Sequence, residues 1–227
     1  MQKAYIISLG GSLVVPPAGI DHKFLKKFRE LILDQVKKGK KFFLIIGGGA
    51  TARNYIAAAD KVLKIKDDDK DWLGIHSTRL NAHMLRTVFR DVAHPEIIKN
   101  PTIRIITDKK IIVAGGWKPG WSTDYVASII AQEYGVKTVI NLSNIDYVYD
   151  SDPNKNKDAK KIAEIKWKEF RKIVGDKWKP GLNMPFDPIA SQKAEQLGLE
   201  VAIMNGGNLK NLKRYLETGK FKGTRIS

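Results

Sequence analysis

The sequence predicts a three-layer α/β fold, an αβα sandwich around a central and mainly parallel sheet, on three observations. Short apolar runs rich in β-branched residues alternate with longer segments of helical periodicity. The runs are nearly unbroken in their apolarity, as in parallel strands that crossover helices cover on both faces. The glycine-rich and polar stretches fall just after these runs, which places them together at the C-terminal edge of the sheet, where ligands of such folds sit.

Taken in order, "AYIISL" is the first strand, and residues 22–38 carry Phe24, Leu25, Phe28, Leu31, Ile32 and Val36 at helical spacing. "FFLII" is the second strand, followed by a helix over 50–64. A helix over 74–93, strands "IRIIT" and "KIIVAGG", and a helix from Asp124 to about Tyr134 come next. Strand "KTVINL", helix 187–197, strand "EVAIMN" and helix 208–217 complete the series. The segment 160–185 is weakly patterned, and its Trp167 and Trp178 receive no role. No internal repeat, low-complexity tract or composition break divides residues 1–227, which are therefore read as a single domain.

Composition narrows the function. In this chain of 227 residues, 43% of them hydrophobic, no run approaches the ~20 apolar residues of a membrane span, and "MQKAYIISLGG" reads as a strand rather than a signal peptide. A cytoplasmic protein without a membrane partner is expected. The absence of cysteine excludes disulfides, thiolate chemistry and cysteine-ligated zinc, and four scattered histidines form no H-E-x-x-H pattern. Any metal should arrive with a substrate. The balance of 40 Lys+Arg against 24 Asp+Glu gives a net charge of +16, which suits nucleic acid, a site that collects polyanions, or a lysine-rich surface. Because the lysines are spread through stretches such as "KFLKKFRE" and "NLKNLKR", at positions a helix or loop presents to water, nucleic acid is not the expected partner.

The stretch "KKFFLIIGGGATARNYIAA", starting at Lys40, sets Gly47, Gly48 and Gly49 between a strand and a helix. Bare backbone amides beside a helix N-terminus suit an anion, although one glycine cluster could equally be a tight turn. Polar or glycine-rich loops recur at "SLGGSLV", "GGWKPGWSTD", "NLSNIDYVYDSDP" and "MNGGN", and this repetition favours the anion site. There is no G-x-x-x-x-G-K-[ST]. Gly47, Gly49 and Ala52 satisfy G-x-G-x-x-[GA], with Asp67 to Asp69 near the distance of a ribose-binding acid, so a dinucleotide site is an alternative, but it explains one loop only. Two glycine loops on adjacent strands could hold two phosphates close together, with Arg53 and Lys118 to neutralise them and Asp124, Asp152 and Asp187 beside helix starts or strand ends. That inventory suits phosphoryl transfer between two anions, which needs positioning and dispersal of charge rather than a nucleophile.

"LGGSLV", "IIGGGATARNYI", "GGWKPGWSTDYVASIIA", "NIDYVYDSDP", "FDPIASQKA" and "VAIMNGGN" resemble, in order and spacing, the amino-acid-kinase superfamily, and "DWLGIHSTRLNA" is similar to its archaeal-type uridylate (UMP) kinases. The resemblance covers essentially the whole chain and implies transfer of the γ-phosphate of ATP, with its Mg2+, to UMP, giving UDP. It places Gly10, Gly11, Ser12, Gly49, Arg53, Ser143, Asn144, Tyr149 and Asp152 on ATP. It places Gly48, Asp71, Arg79, Asp124 and the loop Trp117, Lys118, Pro119, Gly120, Trp121, Ser122 and Thr123 on UMP, and Asp187, Arg53 and Lys118 at the transfer centre. A homohexamer built as a trimer of dimers is implied as well.

Two positions depart from that pattern. Many superfamily members have a lysine where this chain has Ser8, which leaves the catalytic cation unassigned, with Lys118 and the lysines of 154–161 and 177–179 as candidates. Trp117 stands where many relatives have a small hydroxyl residue, which loosens the assignment of uracil. Plainer roles also exist for single residues. Asp71 ends the acidic run "KDDDKD", which could be a solvated loop, Asp187 before Pro188 could cap a helix, and Trp117 and Trp121 could seal a core. Alternatives for the whole chain are a kinase of another small phosphate or carboxylate, and a degenerate homologue that binds anions or nucleic acid.

Overall fold

The computed structural model describes residues 3–151, 156–177 and 184–227. Its elements are β1 (Ala4–Leu9), α1 (Gly11–Val14), α2 (His22–Lys37), β2 (Lys41–Ile46), α3 (Gly49–Val62), α4 (Asp67–Val88), β3 (Ile111–Ala114), α5 (Thr123–Tyr134) and β4 (Thr138–Ser143). There follow β5 (Val148–Tyr149), β6 (Lys161–Ile162), β7 (Glu164–Ile165), α6 (Trp167–Val174), α7 (Pro188–Gln196), β8 (Glu200–Asn205), α8 (Leu209–Thr218) and β9 (Thr224–Ile226). The main sheet has the order β3-β2-β1-β4-β8-β9-β7. Strands β3, β2, β1, β4 and β8 are parallel, whereas β9 runs antiparallel to β8 and parallel to β7.

Strand alternation divides the core in two. Tyr5, Ile7 and Leu9 of β1 and Phe42, Leu44 and Ile46 of β2 face the layer of α2, α4 and α8, where Phe28, Leu85 and Leu212 meet them. Ile6, Phe43, Ile45 and Val139 face the opposite layer of α5, α6 and α7, with Val126, Phe170 and Ala190. The central parallel strands β1, β2, β3, β4 and β8 are thus buried on both faces, as parallel strands under crossover helices must be. The αβα sandwich with a mainly parallel sheet is the architecture expected above.

Three readings of the sequence are corrected. "IRIIT" is not a strand: Ile103 and Ile106 are exposed, and the open edge of β3 is bridged instead by Ala93 and Ile98. Tyr134 takes up the Ile105 backbone, its hydroxyl accepting from the amide and donating to the carbonyl, so a ladder partner is not needed. The acidic run is not a loop. Asp67, Asp68 and Asp69 form the first turn of α4, where negative charge complements the helix dipole, so the helix starts a full turn or more before residue 74. The weakly patterned segment contributes β6, β7 and α6, and there Trp167 is a core residue whose indole donates to the Leu199 carbonyl at 2.8 Å. Trp178 lies outside the described residues.

Candidate phosphoryl-transfer site

The order of the sheet reverses at β1, whose chain continues to β2 on one side while β4 lies on the other. A crevice opens at such a switch point beyond the C-terminal strand ends. Here it is a cleft of about 560 Å³ joined to a smaller one of about 190 Å³, the two sharing Ser12, Thr123, Asp124, Asn144 and Met184.

The glycines of the first two loops sit against one another. A Cβ on Gly11 would lie 2.2 Å from the Gly49 nitrogen, one on Gly47 would lie 2.8 Å from the Gly11 nitrogen, and Gly49 has a φ of +60°. Side chains are excluded on both loops because two backbones occupy the space. The Asn81 amide of α4 secures the second loop from below, donating to the carbonyls of Gly47 at 2.9 Å and Gly48 at 3.0 Å. The N-termini of α3, α5 and α7 then all end at the cleft, through Gly48, Ser122 and Asp187 respectively. Converging helix N-termini give a positive potential that favours an anion. Arg53 adds a full charge at the wall, and its guanidinium donates to the Ser12 hydroxyl at 3.3 Å.

Two carboxylates occupy the floor. Asp187 caps α7, its Oδ1 accepting from the amides of Ile189 and Ala190 at 2.9 Å each, while its Oδ2 accepts from the Ser122 hydroxyl. The same Ser122 oxygen caps α5 by accepting from the Tyr125 amide at 3.0 Å, so one short chain of bonds ties the two helix starts together. Asp124 lies on the first turn of α5 and its Oδ1 accepts from the Ser8 hydroxyl at 2.7 Å and the Asn141 amide at 3.0 Å. Burial first, and then the neighbouring charge of Asp187, push the Asp124 carboxyl up to about 7. Burial likewise raises Asp187, against the hydrogen bonds from Ser122, Ala190 and Ile189 that favour its charge.

The loop between β3 and α5 is held by α4. Asp71 accepts from the Gly120 amide at 2.7 Å, Arg79 donates to the carbonyls of Gly116 at 3.1 Å and Trp117 at 2.8 Å, and Thr78 accepts from the Gly116 amide at 2.6 Å. Lys118 lies over the Trp117 ring at 4.3 Å, and Trp121 packs on Tyr125 at 4.0 Å.

The profile of the amino acid kinase family matches residues 3–205. The chain belongs to that family. It is 33% identical to the uridylate kinase of Methanospirillum hungatei over 98% of this chain and 94% of that protein, and 33% identical to that of Pyrococcus abyssi over 97% and 98%. Among solved structures, uridylate kinase from Archaeoglobus fulgidus superposes with a TM-score of 0.83 at 26% identity, covering both chains completely.

Within this amino acid kinase, the residues expected at the site divide into those at the cleft and those behind it. Ser12, Gly48, Gly49, Arg53, Asp71, Trp121, Ser122, Thr123, Asp124, Asn144 and Asp187 line the larger cavity, and Gly10, Gly11 and Ser143 line the smaller. Arg79, Trp117, Lys118, Pro119, Gly120 and Tyr149 are not among the lining residues, and Asp152 lies outside the described ones. Arg79 faces the loop backbone, so it shapes the wall from behind. Sequence reasoning passed over Asn141 and Asn81. Both left a signal, since a polar amide at a buried position of a strand or helix needs a partner, and each finds one in the site.

Proposed function

We propose that the chain is a nucleoside monophosphate kinase that transfers the γ-phosphoryl group of Mg-ATP to UMP, giving UDP and ADP. The observation that carries this reading is the pair of adjoining cavities that share Asp124, walled by backbone amides and helix N-termini. The naming of the full-length relatives as uridylate kinases supports the choice of UMP.

The two cavities suit two nucleotides meeting end to end. The smaller, with Gly10, Gly11, Ser12 and Ser143, takes donor phosphates, and the larger, with Gly48, Asp71, Ser122 and Thr123, takes the acceptor. Amides and helix dipoles stabilise the charge that spreads over the moving phosphoryl, and rigid loops hold donor and acceptor in line. Among the described residues, no three carboxylates or histidines gather as a metal cage. A magnesium ion fits this site as a passenger on the donor phosphates, where it would neutralise charge, and Arg53 supplies the protein's own cation at the cleft wall. In the same reading the chain is one domain, works in the cytoplasm where its nucleotides are found, and assembles as a homohexamer built as a trimer of dimers.

The test is ADP formation from Mg-ATP as a function of UMP, with CMP, AMP and isopentenyl phosphate as competing acceptors and Arg53→Gln as control. UDP should appear with UMP, and Arg53→Gln should lose at least about tenfold in kcat/KM, the scale of one charge-assisted contact to phosphate. Transfer to another acceptor but none to UMP would overturn the choice of substrate, and ATP binding without transfer to any of them would overturn the kinase.

A further inference from the structure

Two neighbouring strands carry an unexpected polar residue at the same level. Ser8 of β1 and Asn141 of β4 are register partners in the parallel ladder. Both belong to the face that otherwise sends Ile6 and Val139 into the α5 layer, and both are buried. Their donors converge on a single atom, Asp124 Oδ1, at 2.7 and 3.0 Å. Among the described residues, no lysine, arginine or histidine forms a hydrogen bond or ion pair with Asp124 or with Asp187. Among the described residues, two carboxylates are therefore kept at the floor of an anion site without a bonded cation, a costly arrangement unless neutral donors compensate.

We infer that Ser8 and Asn141 are positioning residues of the transfer centre, a neutral cross-strand clamp that fixes Asp124 where the two cavities meet. The clamp does two things. It restrains the carboxylate from two strands at once, so that its orientation is set by the sheet and not by the α5 loop. It also supports the ionised form, because hydrogen bonds donated to a carboxylate lower its proton affinity; here the clamp, with the Asp187 backbone amide, acts against burial and the Asp187 charge, which raise it. The charged groups on the elements around Asp124 are Asp187 at the cap of α7 and, across the cleft, Arg53 of α3 and Lys70 and Asp71 of α4. From β1 and β4 it meets Ser8 and Asn141.

The test rests on the kinase reading but has a readout independent of it. The pH dependence of kcat with UMP and Mg-ATP would be measured for the wild type, Ser8→Ala, Asn141→Leu, Ser8→Thr and Ser8→Lys, together with a 13C-carboxyl NMR titration that follows Asp124 without turnover. Ser8→Ala and Asn141→Leu should each move the acidic limb and the Asp124 titration to higher pH by about half a unit to one unit, with KM for both nucleotides changed less than about twofold. Ser8→Thr keeps the hydroxyl and should stay with the wild type, whereas Ser8→Lys brings a cation and should move both readouts to lower pH. A titration of Asp124 that is unmoved in Ser8→Ala and Asn141→Leu would overturn the clamp. Shifts in the titration without UMP turnover in any variant would support the clamp and sink the choice of substrate.

Discussion

At the scale of single residues, the raised carboxyl of Asp124 has a consequence for stability as well as chemistry. Its value of about 7 in the folded chain stands above the ordinary 3.8, so between those limits the native state holds a proton that the unfolded state has released. The sign follows from linkage: the stabilising contribution is complete below the unfolded value and is lost as pH rises through the folded one, with a slope that cannot exceed about 1.4 kcal/mol per pH unit for one proton. Asp124→Asn removes this term. The variant should gain stability relative to the wild type between pH 5 and about pH 7, as read by urea midpoints across that range, and parallel curves would contradict the assignment. Asp187 separates two roles by a similar logic. Asp187→Ala should cost about 0.5–2 kcal/mol through loss of the α7 cap, whereas Asp187→Asn keeps the cap and should fold nearly as well as the wild type. Both should lose turnover if the carboxylate serves the reaction, and a fully active Asp187→Asn would reduce the residue to a cap. The sequence showed Asp124 and Asp187 because acids beside helix starts stand out in an apolar context. It did not show that Ser8 answers Asp124, since that bond spans 116 positions of chain and depends on register.

At the scale of elements, the glycine loops illustrate how a motif can be read correctly for a partial reason. Bare backbone near a helix N-terminus pointed to an anion, but the same glycines are also required because the loops after β1 and β2 are packed backbone to backbone. Gly11→Ala places a methyl 2.2 Å from the Gly49 nitrogen, a contact no rotamer relieves. It should destabilise the chain by about 1–3 kcal/mol or more, a cost of overpacking measurable by denaturant unfolding, and wild-type stability would show that the loops separate easily. The helix boundaries were legible where caps were strong, as at Asp21, Ser122 and Asp187, whose side chains each accept a backbone amide. They were not legible where tertiary context overrides composition. The acidic run is charged enough to be a loop, yet it becomes the first turn of α4 because acids suit a helix N-terminus, and Asp71 then reaches Gly120. "IRIIT" is apolar enough to be a strand, yet it finds the edge of β3 already bridged by Ala93 and Ile98.

At the scale of the whole molecule, the doubly covered parallel sheet could be foreseen because the period of the apolar pattern switches repeatedly between strand and helix, whereas the antiparallel β9 at its border could not, since three residues carry too short a pattern. The surface charge is distributed as expected. Lys23, Lys26 and Lys27 lie on the exposed side of α2, opposite Leu25 and Phe28, so on that helix the lysines face water and not the cleft. The apolar surface is less even. Tyr55, Val62 and Leu63 of α3 and its C-terminal cap and Trp72 and Leu80 of α4 are all exposed, with Val62 at 89%, and the two helices pack side by side. Isolated exposed apolar residues need no explanation, but exposed apolar residues on two adjoining helices are where the proposed oligomer would place an interface. In the proposed homo-oligomer with dimeric units, such residues would pair across a two-fold axis. Light scattering should therefore give a mass that is a multiple of the 25.5 kDa chain. Val62→Asp together with Leu63→Asp should lower that mass while leaving the circular dichroism spectrum unchanged, because neither side chain supports the core. A wild-type mass of one chain would remove the hexamer. An oligomer indifferent to the double substitution would move its interface away from α3, to a surface where the assembly must be held by polar or charged contacts and should come apart with salt.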